Sequence, residues 1–212
     1  MAHDPSDTDD LFERLRGGDR QALTDLFQRY RDRLRRMVEL RMDSRLQGRV
    51  DASDVLQDAF LDAATYLDTY LKGTDLPPFL WLRCVVSQRL AVYHRRHAGT
   101  KMRDVGQEVA LYRDPLPQPS SAALASMLLG RLTSPSNAAV RAEQVLQVQE
   151  ALNELEPLDR EIVALRHFEE LSRAETANVL GITEEAGAKR YLRALRRLKV
   201  ILSARPGGLE GV

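Results

Sequence analysis

The chain has 212 residues, 31 basic and 31 acidic side chains for a net charge of zero, and 43% hydrophobic residues, which is enough to bury a core and excludes global disorder. The single Cys84 excludes an internal disulfide and a cysteine-based metal cage, and in its apolar run "WLRCVV" it reads as a small core residue. The acidic start "DPSDTDD" has no signal-peptide pattern, and no apolar run nears the roughly 18 residues of a membrane span, so a soluble, cytoplasmic protein with no membrane insertion is expected.

Aromatics make up only 6%, and Leu, Arg and Ala dominate over β-branched alternation, as in helical proteins. The neutral total hides segregation. No Asp or Glu lies from Leu76 to Arg103 or from Ala186 to Leu209, whereas acids gather at the N-terminus and in "DASDVLQDAFLDA". Two basic patches and one acidic helix result.

Residues 9–97 read as helices. "LFERLRGGDRQALTDLFQRYRDRLRRMVELRM" breaks at Gly17-Gly18, after which Leu23, Leu26, Phe27, Tyr30, Leu34, Met37 and Val38 recur at helical spacing. The next helix opens at "DASD", with Asp51 as cap and Asp54 three residues on, and continues through Val55, Leu56, Ala59, Phe60, Ala63 and Leu67. After the break "KGTDLPP", the stretch "FLWLRCVVSQRLAVYHRRH" forms another helix, with Pro77 and Pro78 at its entrance. Residues 98–137, with "YRDPLPQPSS" and "LTSPSN", read as a flexible linker holding one short helical piece over 124–132. A second helical domain follows over 138–203. The expected fold is therefore all-α, two small helical domains joined by a linker.

The end of the second domain carries the most specific pattern. "SRAETANVLGITEEAGAKRYLRAL" offers a Ser-x-x-Glu capping box (Ser172, Glu175), then Ala177 four residues before Gly181, then a second helix capped by Thr183 with Glu184 and Glu185 in its first turn. Short helix, glycine turn and basic second helix describe a helix-turn-helix. On that second helix Ala188, Leu192, Leu195, Leu198 and Leu202 are expected to form the buried side, with Lys189, Arg193, Arg196 and Arg197 opposite, turned to phosphate. In the first domain, the acidic "DASDVLQDAFLDA" suits a basic protein partner. Trp81, Tyr93, Arg89, Arg95 and Arg96 suit melted nucleic acid, although an indole at helical spacing is more often core than stacking platform.

The order of these elements resembles a bacterial RNA polymerase sigma factor of the small, extracytoplasmic-function type. Residues 9–97 look like its region 2 and residues 138–203 like its region 4, through "DASDVLQDAFLDA", "FLWLRCVVSQRLAVYHRRH" and "LDREIVALR" followed by the helix-turn-helix. The resemblance implies a promoter-specificity subunit without catalysis or cofactor. Its partners would be core RNA polymerase, through the clamp helices and the flap, and promoter DNA; an anti-sigma protein is a further partner that it allows. It implies polymerase contact at Asp54, Gln57 and Asp58, −10 promoter contact at Trp81, Arg83, Arg89, Arg95 and Arg96, and −35 contact at Thr183, Glu184, Glu185, Ala188, Lys189, Arg190 and Arg193. Against the family pattern, Gly187 replaces an apolar β-branched residue, Ala188 a basic one and Val92 an Asp, and "VSQ" stands for "ARN". A −35 surface richer in backbone than base contact is expected.

The alternative is a stand-alone helix-turn-helix regulator that binds duplex DNA without polymerase. An enzyme is disfavoured, because His3, His94, His97 and His167 show no metal spacing with carboxylates and no phosphate loop or nucleophile motif occurs. His94 and His97 would extend a DNA-facing surface.

Overall fold

The computed structural model describes residues 5–43, 46, 48–73, 76–97, 117–132 and 138–204. Every regular element among them is helical, and no helix of the described residues is long and apolar enough to cross a membrane. The chain divides into two compact units, Met1–Val38 with Met42–Leu116, and Glu39–Arg41 with Pro117–Val212.

The first unit is built from α1 (Pro5–Arg16), most of α2 (Gln21–Arg41), α3 (Ala52–Gly73) and α4 (Pro78–His97). The break between α1 and α2 is made by Gly18, whose φ of +93° is open to glycine at little cost. Asp19 then starts α2 by accepting the Gln21 amide at 2.9 Å, while Arg14 holds the same carboxylate at 2.7 Å and keeps it below its ordinary pKa. Leu23, Leu26, Phe27, Tyr30, Leu34, Met37 and Val38 are all buried, as their spacing requires. From α3, Val55, Leu56, Ala59, Ala63 and Leu67 complete this core, and Phe60 meets Phe27 edge-on at 5.2 Å. The apolar side of α4 (Phe79, Leu80, Leu82, Val85, Val86 and Leu90) closes it. Cys84 is partly buried, and burial pushes its thiol up, away from thiolate chemistry.

The second unit contains α5 (Ser121–Leu132), α6 (Ala138–Asn153), α7 (Pro157–Val163), a π-helical turn at Ala164–Phe168, α8 (Arg173–Leu180) and α9 (Glu184–Ser203). Helix α5 falls inside the stretch expected as linker and starts three residues before the short piece expected there. Its Leu124, Ala125 and Leu129 lie in one core with Val148, Ala151 and Leu152 of α6, Ile162 of α7, Phe168, and Ala194 and Leu198 of α9. Arg160 of α7 reaches back to the Ser121 hydroxyl at 2.9 Å. That part of the stretch is thus integral to the unit, whereas residues 98–116 and 133–137 lie outside the described residues.

Candidate functional site

The α8–α9 pair forms from local rules. Ser172 caps α8: its Oγ accepts the Glu175 amide at 3.1 Å, and Glu175 Oε2 accepts the Ser172 amide at 2.7 Å. Gly181 ends the helix in the left-handed region at φ 63°, which lets the Ile182 amide bond back to the Ala177 carbonyl at 3.1 Å. Thr183 then opens α9 by accepting the Ala186 amide at 3.2 Å, two residues after the turn. Helix, glycine turn and second helix stand as the sequence specifies.

The rotation of α9 differs from the expectation. Its buried residues are Gly187, Ala194 and Leu198, while Leu192 and Leu195 are 51% and 37% exposed and Ala188 is half-buried. Ala194 and Leu198 instead join the core that includes Ile162 and Val163 of α7, and α9 turns this side toward α7. Gly187 therefore belongs to a helix contact and not to a base-reading surface. A Cβ there would meet Ile182 Cδ1 at 3.6 Å and Ile162 Cδ1 at 4.0 Å, ordinary contact distances. The space beside it opens into a cavity of about 130 Å³ bordered by Arg166, Arg173, Thr176 and Tyr191.

The basic side chains of α9 split into two sets. Asp159 of α7, only 1% exposed, accepts Arg190 Nη1 at 2.7 Å and Arg193 Nη2 at 3.3 Å, and Arg190 also reaches Glu156 at 3.5 Å. A buried carboxylate requires such compensation, so these two arginines tie α9 to α7. Lys189 pairs with Glu185 one turn earlier at 2.5 Å, an exposed contact worth only about 0.2–0.5 kcal/mol. Thr183, Glu184, Glu185, Lys189, Arg193, Arg196 and Arg197 remain on the surface. Asp159 was missed from sequence; its position in the first turn of α7 is the one signal it gives, and that signal points to a helix start.

In the first unit, Asp51 accepts the Ser53 amide at 2.7 Å while Asp54 accepts the Asp51 amide at 3.0 Å, so the cap read from "DASD" forms. The amide from Ser53 holds the Asp51 carboxyl below its ordinary range. Asp54, Gln57, Asp58 and the exposed Leu61 follow one another at helical spacing along one face of α3. Asp58 accepts the Tyr93 hydroxyl of α4 at 2.9 Å and lies 3.8 Å from Arg89 Nη1. Arg89 grips Asp62 with two donors, Nε to Oδ2 at 2.7 Å and Nη2 to Oδ1.

The residues expected at the −10 element are not gathered on one surface. Trp81 is 2% exposed and lies flat on Tyr70, with ring centroids 4.1 Å apart, and Arg83 is buried as well. Arg89 is committed to Asp62, and Arg95 and Arg96 are exposed at the end of α4. His94 is half-buried, and its Nε2 accepts the Asp43 amide at 3.3 Å, which gives it a backbone-holding place; the His97 side chain is outside the described residues.

Residues 146–198 match the family model described as sigma-70, region 4, a span that includes the whole α8–turn–α9 unit. Over most of its length the chain is similar to the extracytoplasmic-function RNA polymerase sigma factor SigD of Mycobacterium tuberculosis, 29% identical over 182 residues that cover 86% of this chain and 77% of the relative. It is also similar to the extracytoplasmic-function sigma factor BldN of Streptomyces coelicolor, 27% identical over 194 residues, 91% of this chain and 65% of that one. Among solved structures, its fold resembles CnrH in complex with the cytosolic domain of CnrY, with a TM-score of 0.53, 21% identity and coverage of 92% and 97% of the two chains.

Proposed function

We propose that this chain is a bacterial sigma factor of the extracytoplasmic-function type, which binds core RNA polymerase in the cytoplasm, without catalysis of its own, and directs initiation at a specific set of promoters. In this reading residues 9–97 bind polymerase and act at the −10 element, residues 138–203 act at the −35 element, and α5 supports the second of these. Polymerase contact is assigned to the α3 face of Asp54, Gln57 and Asp58, with Leu61 as an apolar centre. Duplex contact is assigned to the exposed side chains at the start of α9, Thr183, Glu184, Glu185 and Lys189, with Arg196 and Arg197 on phosphates.

The observation that carries this reading is the capped α8–Gly181–α9 turn with a cationic outer face. A helix N-terminus beside exposed cations suits a phosphate backbone. At the −10 element, Arg95 and Arg96 are the accessible members of the expected set, and Trp81 and Arg83 act from below as support.

Run-off transcription with purified core polymerase and a pool of genomic promoters tests it. The chain should confer initiation on a subset of templates, and Gln57→Arg, at an exposed position, should abolish core binding with the melting temperature unchanged. Tight duplex binding by the chain alone, with no affinity for core, would establish the stand-alone regulator instead.

A further inference from the structure

We infer that Arg89 and Tyr93 of α4 are positioning residues for the polymerase-facing Asp58 of α3, and not promoter contacts. The inference rests on the proposed function, since it needs a polymerase partner for the α3 face. It reassigns two side chains that the segregation of charge places with nucleic acid.

The geometry is specific. Arg89 presents Nε and Nη2 to the two oxygens of Asp62, a fork-on-carboxylate pair, and its remaining Nη1 lies 3.8 Å from Asp58 Oδ2. The same Asp58 oxygen accepts the Tyr93 hydroxyl at 2.9 Å. Asp58 is held from α4 by a neutral donor and a cation, yet its side chain stays 37% exposed and can still meet an outside partner. Arg89 is less exposed, at 21%, and its bidentate face is already used.

A phosphate could take the bidentate face of Arg89 only by breaking a charge-assisted pair that is already formed, and at any of its donors it would approach Asp58 and Asp62. Both effects oppose DNA contact. A basic helix approaching α3 meets the opposite situation: a carboxylate already fixed in one orientation, so less side-chain freedom is lost on binding. Burial, and the bond to Asp58, push the Tyr93 hydroxyl up, so it stays a donor throughout the working pH range. The arrangement also links two functions physically. The helix that carries Arg95 and Arg96 toward promoter DNA is fastened to the helix that meets polymerase, through the same carboxylates.

A mutant cycle on the full chain separates positioning from mere fastening. Affinity for core polymerase is measured by fluorescence titration for wild type, Tyr93→Phe, Asp58→Asn and the double variant, with melting temperatures alongside. Tyr93→Phe should weaken core binding roughly tenfold, the scale of one hydrogen bond to a charged group, and should add nothing in the Asp58→Asn background. Arg89→Ala should also weaken core binding. Once core is saturated, its holoenzyme should show the wild-type salt dependence of promoter binding.

An additive cycle, or a fall in melting temperature with core affinity intact, would overturn the inference, because the pair would then be structural. So would a salt slope reduced by about one for Arg89→Ala, the mark of a lost phosphate contact. Failure of the wild-type chain itself to bind core would remove the proposed function and this inference together, and is recognised by that control alone.

Discussion

The two halves of the molecule use the same chemistry, acids of one helix set against bases of another, with different consequences. In the second unit a buried Asp159 consumes parts of Arg190 and Arg193 to dock α9 on α7, leaving the outer turns of α9 cationic. In the first unit the carboxylates of Asp58 and Asp62 are themselves near the surface, and it is Arg89 that is consumed. A run of arginines therefore overstates the nucleic-acid surface wherever a carboxylate lies across the helix interface. On the two basic helices, Arg95 and Arg96 of α4 and Arg196 and Arg197 of α9 lie exposed at the surface.

That comparison can be broken at three points. The largest effect is expected for Trp81→Ala, which deletes a fully buried indole stacked on Tyr70 and should cost about 3–5 kcal/mol of first-unit stability in denaturant titration. A surface platform would lose little stability and much promoter opening instead. Asp159→Ala should cost about 1–3 kcal/mol by removing the acceptor that α9 closes upon, while Arg190→Ala and Arg193→Ala should each cost less, because each leaves the buried carboxylate with the other arginine. If Asp159→Ala left the second unit as stable as before, the docking role would fall. The smallest effect sharpens the rotation of α9: Gly187→Ala should raise stability by about 0.5–1 kcal/mol, since the added methyl finds only ordinary contacts. A loss there would place Gly187 at an approach closer than the structure has it.

Much of this was legible in the sequence for a physical reason. Helical spacing in α2 and α3 encodes the buried side directly, because long helices against one core average over many positions. The caps at Asp51, Ser172 and Thr183 are local, so their residues specify them without tertiary help. What escaped depends on partners distant in the chain. Helix α5 is short and flanked by prolines and serines, and its Leu124 and Leu129 become recognisable as core only against α6. The rotation of α9 buries Gly187 and Ala194, small residues that hydrophobic periodicity ranks below leucine. Arg89 and Asp62 are 27 positions apart, and nothing in either segment announces the pair.

The measurement that tests the account most directly is a hydroxyl-radical footprint on one promoter, with chain, core polymerase, and both. Protection of separate upstream and downstream segments is predicted only when chain and core are combined. The upstream segment alone should be lost for the Lys189→Ala, Arg196→Ala, Arg197→Ala triple variant, whose changes fall on exposed positions of α9. Equal protection by the chain without polymerase, or an upstream footprint indifferent to the triple variant, would contradict it.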